Sequence, residues 1–292
     1  MTTITPIGRR ERRFPGWVFQ AMVCLVAFAA NSIFCRQALM QDQIDPASFT
    51  AIRLLSGAVF LLCLIRSRQP RPAMGGSWRA GLALFLYAYL FSIAYVRLGA
   101  GVGALILFGA VQVTMFACAW KQGEPVQKKA LIGMSVAFCG LLALLLPGAD
   151  TPPMGSALLM AVSGMAWGAY SLLGKGCANP LADTAGNFAR TLAMLCVLGP
   201  IMLLGSHPRL SVPGVLYALA SGILASGCGY ALWYGTVKKI SAQHAATLQL
   251  GVPILASLGG VWLLDEPMSI RLLTVSIVVL GGIALSLRAR IA

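Results

Sequence analysis

Ten apolar stretches, each about as long as a bilayer is thick, leave this sequence little freedom for anything but a helical membrane fold. A hydrocarbon core of roughly 30 Å needs about 20 residues of helix at 1.5 Å per residue. Breaks at charged residues, prolines and Gly/Asn/Asp positions cut the chain into runs at approximately 17–40, 46–65, 78–97, 101–120, 130–147, 154–175, 184–205, 212–236, 241–263 and 269–288. Only 10% of the residues are charged, against about 25% in soluble domains. The expected fold is an all-α polytopic membrane protein with ten transmembrane helices.

The formal charge of +14 does not point to nucleic acid. A nucleic-acid binder clusters its basic groups on one polar face, whereas these are scattered singly between apolar runs. Lys and Arg in short loops set orientation. One alternate set of loops and tails holds Arg9, Arg10, Arg12, Arg13, Arg66, Arg68, Arg71, Arg79, Lys121, Lys128, Lys129, Lys175, Lys238, Lys239, Arg288 and Arg290, and the other only Arg36, Arg97, Arg209 and Arg271. Both termini are therefore expected in the cytoplasm of a bacterial-type inner membrane. The stretch over 9–35 is too long for a signal peptide and lacks a small-x-small cleavage site, so it is expected to stay as the first helix. The eight cysteines show no CxxC or Cys/His metal spacing and read as small buried apolar side chains. No metal or cofactor is expected.

The second half replays the first. Glu124-Pro125 falls on Glu266-Pro267, and the same register carries Lys129 onto Arg271, Gly140 onto Gly282 and Arg97 onto Lys239. Slightly different registers bring Ser32 and Arg36 onto Ser171 and Lys175, and Arg53 onto Arg190. Five spans per half is an odd number, so the second half enters the membrane in the opposite sense. Inverted repeats of this kind put the substrate site near the midplane and work by alternating access. The expected organisation is a basic cytoplasmic tail at 1–16, a first five-helix repeat at 17–147, an external linker at 148–153, a second inverted repeat at 154–288 and a cytoplasmic tail at 289–292. The two repeats enclose a central cavity. A monomer is compatible with this plan; the partners are the lipid bilayer and a small-molecule substrate, with no nucleic acid.

Ten spans in a 5+5 arrangement, the two Glu-Pro pairs after helices 4 and 9, and Trp167-Gly168 in helix 6 resemble the EamA branch of the drug/metabolite transporter superfamily. Within that branch the sequence looks most like the YddG-type exporters of aromatic amino acids. The resemblance implies an inner-membrane exporter with a central cavity. The halves differ from each other, with Asn31 where helix 6 has Tyr170 and Val111 where helix 9 has Pro253.

The acids, Glu11, Asp42, Asp45, Glu124, Asp150, Asp183, Asp265 and Glu266, all fall in the N-terminal tail or at span ends. Exporters of cations commonly keep a carboxylate at mid-membrane to trade between proton and substrate. Its absence favours neutral or zwitterionic substrates and argues against carboxylate-based proton antiport. Arg53 and Arg190 lie inside spans, each seven or eight residues after an Asp, and are read as snorkelling cations paired to a loop acid or as gate contacts. Arg36 and Lys175 share a repeat position and are candidate gate or anchoring cations. His207 falls in a loop, and His244 is an interfacial group or a proton carrier.

A bulky amino acid needs an apolar slot and a few placed polar groups. The candidate lining is Asn31 and Ser32 on helix 1, Tyr87 and Phe91 on helix 3, Gln112 on helix 4, Trp167, Tyr170 and Ser171 on helix 6, Tyr230 and Trp233 on helix 8, and Gln249 on helix 9. Gln243 and Thr247 extend the polar set of helix 9. Spacing places Trp167, Tyr170 and Ser171 on one stripe and Tyr230 and Trp233 on another, with helix packing as the alternative use of the aromatics. Trp17, Trp78, Trp120 and Trp262, at span ends, read as belt anchors. Gly222-x-x-x-Ser226, Gly133-x-x-x-Ala137, Gly259-Gly260 and Gly281-Gly282 permit close helix approach. Gly251 and Pro253 are candidate hinge residues, with Pro253 expected to kink helix 9. An intramembrane enzyme lacks its parts here, since neither paired Asp nor a buried Ser/His set is present. The expectation is an exporter of aromatic or other bulky neutral amino acids working by alternating access. A carrier of another small neutral metabolite or drug, or a passive pore, stays open.

Overall fold

The structure is a computed structural model and describes residues 16–70, 72–121, 127–146, 151–204, 208–237 and 248–289. Arg9, Arg10, Arg12, Arg13, Arg71, Glu124, Pro125, Asp150, His207, Lys238, Lys239, Gln243, His244, Thr247 and Arg290 lie outside the described residues. The helices are α1 (Gly16–Met40), α2 (Pro46–Arg66), α3 (Trp78–Tyr95), α4 (Ala100–Lys121), α5 (Lys128–Leu144), α6 (Met154–Gly174) and α7 (Pro180–Leu204). The eighth rod, α8, is α-helical over Val212–Ala220, π-helical over Ser221–Cys228 and α-helical again over Gly229–Val237. The chain ends in α9 (Gly251–Leu264) and α10 (Ile270–Ala289).

Short polar signals fix the helix starts. Asp45 caps α2, its Oδ1 accepting from the Ser48 amide at 2.9 Å, with Pro46 in the first turn where no N–H is needed. Ser77 caps α3 and Ser211 caps α8 in the same way. α9 stops where Asp265 turns into the left-handed region at φ 53°.

Among the described residues, seven helices are long and apolar enough to cross a membrane: α1, α2, α3, α4, α6, α7 and α8. Gly251–Leu264 and Ile270–Ser286 are shorter apolar helices, and α5 has 17 residues opening on Lys128 and Lys129. Of the stretch expected at 241–263, residues 248–263 are described. Residues 248 and 249 are helical, Leu250 is a turn and the regular helix runs from Gly251, so the rod is interrupted within one turn before Pro253. The break lies beside Gln249, whose carbonyl is the one that the proline, lacking an N–H, cannot serve.

Large apolar side chains such as Leu55, Val59, Val197, Ile201 and Ile277 point outward and are exposed, a surface that only lipid can solvate. Small residues face inward where helices meet. α5 and α10 form one close pair: a Cβ on Gly282 meets Gly133 O at 2.7 Å, while one on Gly281 meets nothing. Of the paired glycines, only Gly282 therefore serves the contact. The cysteines form no disulfide, but Cys63, Cys139 and Cys196 are exposed rather than buried as expected. They lie on apolar helices, where a thiol faces lipid as readily as core.

The helix contacts come in matched sets. α3 packs on α6 and α1 on α8; α4 on α6 and α1 on α9; α3 on α7 and α2 on α8; and α2 pairs with α7, α4 with α9 and α5 with α10. One end of the bundle gathers the loops after α1, α3, α5, α7 and α9. There Asp45 N donates to Arg209 O, Ile44 pairs with Leu210 in an isolated antiparallel bridge, and the Arg271 guanidinium donates to Ala143 O and Leu146 O. At the opposite end the segment before α3 meets the start of α7, where Gly76 N donates to Asp183 Oδ1 and Ser77 N to Asn187 Oδ1.

Candidate functional site

The centre of the bundle is built around Arg53. Its position on α2 falls on the inward stripe with Phe49, Thr50 and Gly57, so the side chain enters the core instead of climbing to the helix end. It is 1% exposed. Nε donates to Ser226 Oγ at 3.0 Å, and Nη2 donates to the hydroxyls of Tyr87 at 3.2 Å and Tyr230 at 2.7 Å. The guanidinium carbon lies 5.2 Å from the centroids of both Tyr87 and Phe91, within cation–π range. Nη1 has no hydrogen-bond partner.

Local backbone chemistry allows this convergence. α8 reaches α2 through Gly222, where a Cβ would lie 3.0 Å from Arg53 Cα, and through Gly57, where a Cβ would meet Gly222 O at 2.9 Å. Gly222 lies within the π-helical stretch and Gly57 faces it from α2, and the stretch places Ser221 and Ser226 in the core; π segments of this kind recur at functional sites. Ser221 donates to Asn31 Oδ1 at 2.6 Å, and Asn31 Nδ2 donates to the Tyr87 hydroxyl at 3.1 Å. The Tyr230 hydroxyl also donates to that of Tyr87 at 3.1 Å. Four helices, α1, α2, α3 and α8, thus share one polar network.

A continuous aromatic cluster surrounds it. Trp167 lies 4.9 Å from Tyr87, 4.7 Å from Tyr230 and 5.4 Å from Tyr170, centroid to centroid. Phe28 packs edge-on against Trp167, Tyr230 and Trp233 at 5.5–5.9 Å. Tyr170 stacks on Tyr234 at 5.3 Å, and Phe188 flanks Tyr230 at 6.0 Å. Trp167 Nε1 faces Gln249 Oε1 at 3.4 Å. The chemistry on offer is a buried set of aromatic faces and edges with one fixed cation and a few hydroxyls.

The structure brings Asn31, Tyr87, Phe91, Trp167, Tyr170, Tyr230, Trp233 and Gln249 together in this cluster; Ser32 and Ser171 are buried on two of the same helices, α1 and α6, and Gln112 is buried on α4. Arg53 does not snorkel to Asp45: that acid caps α2 and accepts from Arg209 N at 3.1 Å. Burial alone raises the Asp45 carboxyl, but hydrogen bonds from Ser48 and from the Arg209 amide outweigh it and hold it below the usual range. Arg190 does not share the Arg53 environment. Its Nη1 donates to Gly75 O at 2.9 Å and Gly186 O at 2.7 Å, its guanidinium lies 5.9 Å over Trp78, and Asp183 bonds Gly76 instead. Sequence reasoning missed Phe28, Ser221 and Phe188. Phe28 and Asn31 lie three residues apart on one face, and that spacing was available to find Phe28.

Arg36 and Lys175 also differ. Arg36 Nε donates to Glu266 Oε1 at 2.9 Å, its Nη1 donates to Tyr95 O and Val96 O at 3.0 Å, and Ala100 N donates to Glu266 Oε2 at 2.7 Å. This half-buried knot ties α1, the α3–α4 turn and the α9–α10 turn together beside a pocket of about 250 Å³. Lys175 ends α6 and is exposed. A second pocket, of about 310 Å³, opens at the other end among Ser77, Asp183, Asn187 and Tyr234. Trp78, Trp120 and Trp262 are exposed at helix ends, as belt residues are.

The sequence matches the EamA-like transporter family twice, over residues 15–146 and 154–288. The chain belongs to the EamA-like transporter family. It is 51% identical over 272 residues to uncharacterized protein PA1977 of Pseudomonas aeruginosa, covering 92% of this chain and 94% of that one. It is 23% identical over 283 residues to the uncharacterized transporter YwfM of Bacillus subtilis, covering 94% and 96%, and 29% identical over 214 residues to an uncharacterized transporter of Archaeoglobus fulgidus, covering 70% and 74%. A crystal structure of 18% identity shares the fold with a TM-score of 0.63, covering 94% of this chain and 98% of that one. A multi-pass membrane transporter with a small-molecule substrate follows from the family and the apolar helices.

Proposed function

We propose that this EamA-family protein is an inner-membrane exporter of aromatic or other bulky neutral amino acids, of the YddG type, with both termini in the cytoplasm. The observation that carries the reading is the aromatic cluster of Tyr87, Trp167, Tyr170, Tyr230 and Trp233 at the meeting of α1, α3, α6 and α8. Rings at 4.7–5.4 Å from one another offer edges and faces to a planar side chain. Two observations support alternating access between inverted five-helix halves. The family matches the chain in two tandem stretches, and the helix contacts come in the pairs that a two-fold exchange of α1–α5 with α6–α10 requires. The remaining candidates, Ser32, Gln112 and Ser171, extend the substrate lining, while Arg36, Lys175, Arg190, Gly251 and Pro253 belong to the moving ends.

Among the described residues the acids Asp42, Asp45, Asp183, Asp265 and Glu266 all sit at helix ends or in turns, so proton antiport through a buried carboxylate has no carrier in these segments. Liposomes containing the purified protein test this reading. Uptake of phenylalanine, tyrosine and tryptophan is expected with and without an imposed pH gradient. No transport of any of the three removes the substrate assignment, and a strict requirement for the gradient removes the coupling argument.

A further inference from the structure

We infer that Arg53 is the recognition point for a substrate carboxylate, and that the class this site takes is aromatic carboxylates in which the α-ammonium group is dispensable. The inference rests on the aromatic cluster being the substrate site and narrows what that site admits. The guanidinium is 1% exposed, bonds hydroxyls only, and leaves Nη1 without a partner. The groups around it are uncharged: Tyr87 and Phe91 on α3, Ser226 and Tyr230 on α8 and Cys35 on α1, while α7 brings Phe188 against Gly57 one turn along α2. A fixed cation that meets no anion attracts one strongly in a low-dielectric interior. Nε and Nη2 stay on hydroxyls and hold the group in place, so Nη1 is the nitrogen left to meet a carboxylate, an orientation that a flexible lysine ammonium does not reproduce.

The groups that Arg53 touches offer little to an ammonium group, the unpartnered hydroxyls of Tyr170 and Ser171 belonging to α6. Asn31 Oδ1 is taken by Ser221, the Tyr87 and Tyr230 hydroxyls accept from Arg53, and Ser226 Oγ accepts from its Nε. Gln249 Oε1 faces the Trp167 indole. An ammonium brought beside Arg53 meets a like charge and engaged acceptors. A monoanion neutralises the site, a zwitterion leaves its net charge in place, and an amine adds to it.

Intrinsic tryptophan fluorescence of the purified full chain, titrated with 3-phenylpropanoate, phenylalanine, phenylalaninamide, phenethylamine and hexanoate, tests the inference. 3-Phenylpropanoate is expected to bind at least as tightly as phenylalanine, with phenylalaninamide and phenethylamine weaker by about thirtyfold or more. Arg53→Lys is expected to weaken 3-phenylpropanoate by about tenfold, because an ammonium cannot hold the three hydroxyls and still aim a free N–H at the carboxylate. Arg53→Gln is expected to abolish the preference for 3-phenylpropanoate over phenylalaninamide. If that variant does not fold, the panel on the unmodified protein decides alone. Equal binding of phenylalaninamide and 3-phenylpropanoate overturns the role of Arg53 and leaves the aromatic reading standing. Hexanoate binding with none of the aromatic compounds keeps the carboxylate point and removes the aromatic substrate. No binding by any of the five overturns both.

Discussion

An arginine at the middle of a helix bundle costs on the order of 3 kcal/mol relative to an apolar residue. Each hydrogen bond to a charged group contributes about 1.5–3 kcal/mol, so the three from Arg53 to Ser226, Tyr87 and Tyr230 suffice to hold it there. They do not neutralise it. At this scale the sequence alone was misleading, because an arginine eight residues beyond an aspartate also reads as a snorkelling ion pair. The stripe of Phe49, Thr50, Arg53 and Gly57 carried the answer, since aromatic, hydroxyl and glycine positions on one face mark the side turned to other helices. Asp45 is instead spent on a cap. Replacing it by Ala is expected to destabilise the protein by about 1 kcal/mol at pH 7, measured by thermal unfolding in detergent. Its folded-state carboxyl titrates below the ordinary 3.8, so its contribution is complete above that value and disappears as pH falls through the folded one. The gap between the two proteins should therefore be flat at neutral pH and close only in acid; a gap that widens on acidification contradicts the assignment.

Between helices, small residues decide how closely the polar network can close. Gly222 places the backbone of α8 directly on α2, and the π-helical stretch that contains it turns Ser226 toward Arg53. Gly222-x-x-x-Ser226 was legible as a close-packing motif, but the π-helical turn was not, because nothing in local composition distinguishes one extra residue per turn. Gly222→Val is expected to force the two helices apart and cost about 1–3 kcal/mol, and with the separation the Ser226 and Tyr230 contacts to Arg53 loosen. Unchanged thermal stability in that variant contradicts the described approach. The Arg36–Glu266 knot joins three elements at one end of the bundle. Glu266→Gln removes the charge pair and leaves the Arg36 guanidinium with carbonyls alone. Cys35, fully buried beside it, is then expected to react several-fold faster with a water-soluble maleimide, with the labelled residue located by mass spectrometry; an unchanged rate shows that the knot does not hold this end shut.

The whole molecule was the most legible scale from composition and the least legible in detail. Apolar length identified a polytopic helical protein, and the repeated Glu-Pro pairs suggested a tandem that the two family matches now cover. Repeat symmetry overreached at single residues: Arg53 and Arg190, or Arg36 and Lys175, align in sequence yet sit in different surroundings, because the two members of each pair meet different partners and only Arg36 has a carboxylate, Glu266, at hand. Both ends of the bundle are tied by loop contacts with the aromatic cluster buried between them, an arrangement suited to a carrier that opens one end at a time. Counterflow in proteoliposomes addresses that claim directly. Vesicles loaded with unlabelled phenylalanine and diluted into a trace of labelled phenylalanine should show a transient accumulation of label, saturable and dependent on the internal load. Uptake that is indifferent to the load and linear with concentration would mean a passive pore and contradict the account.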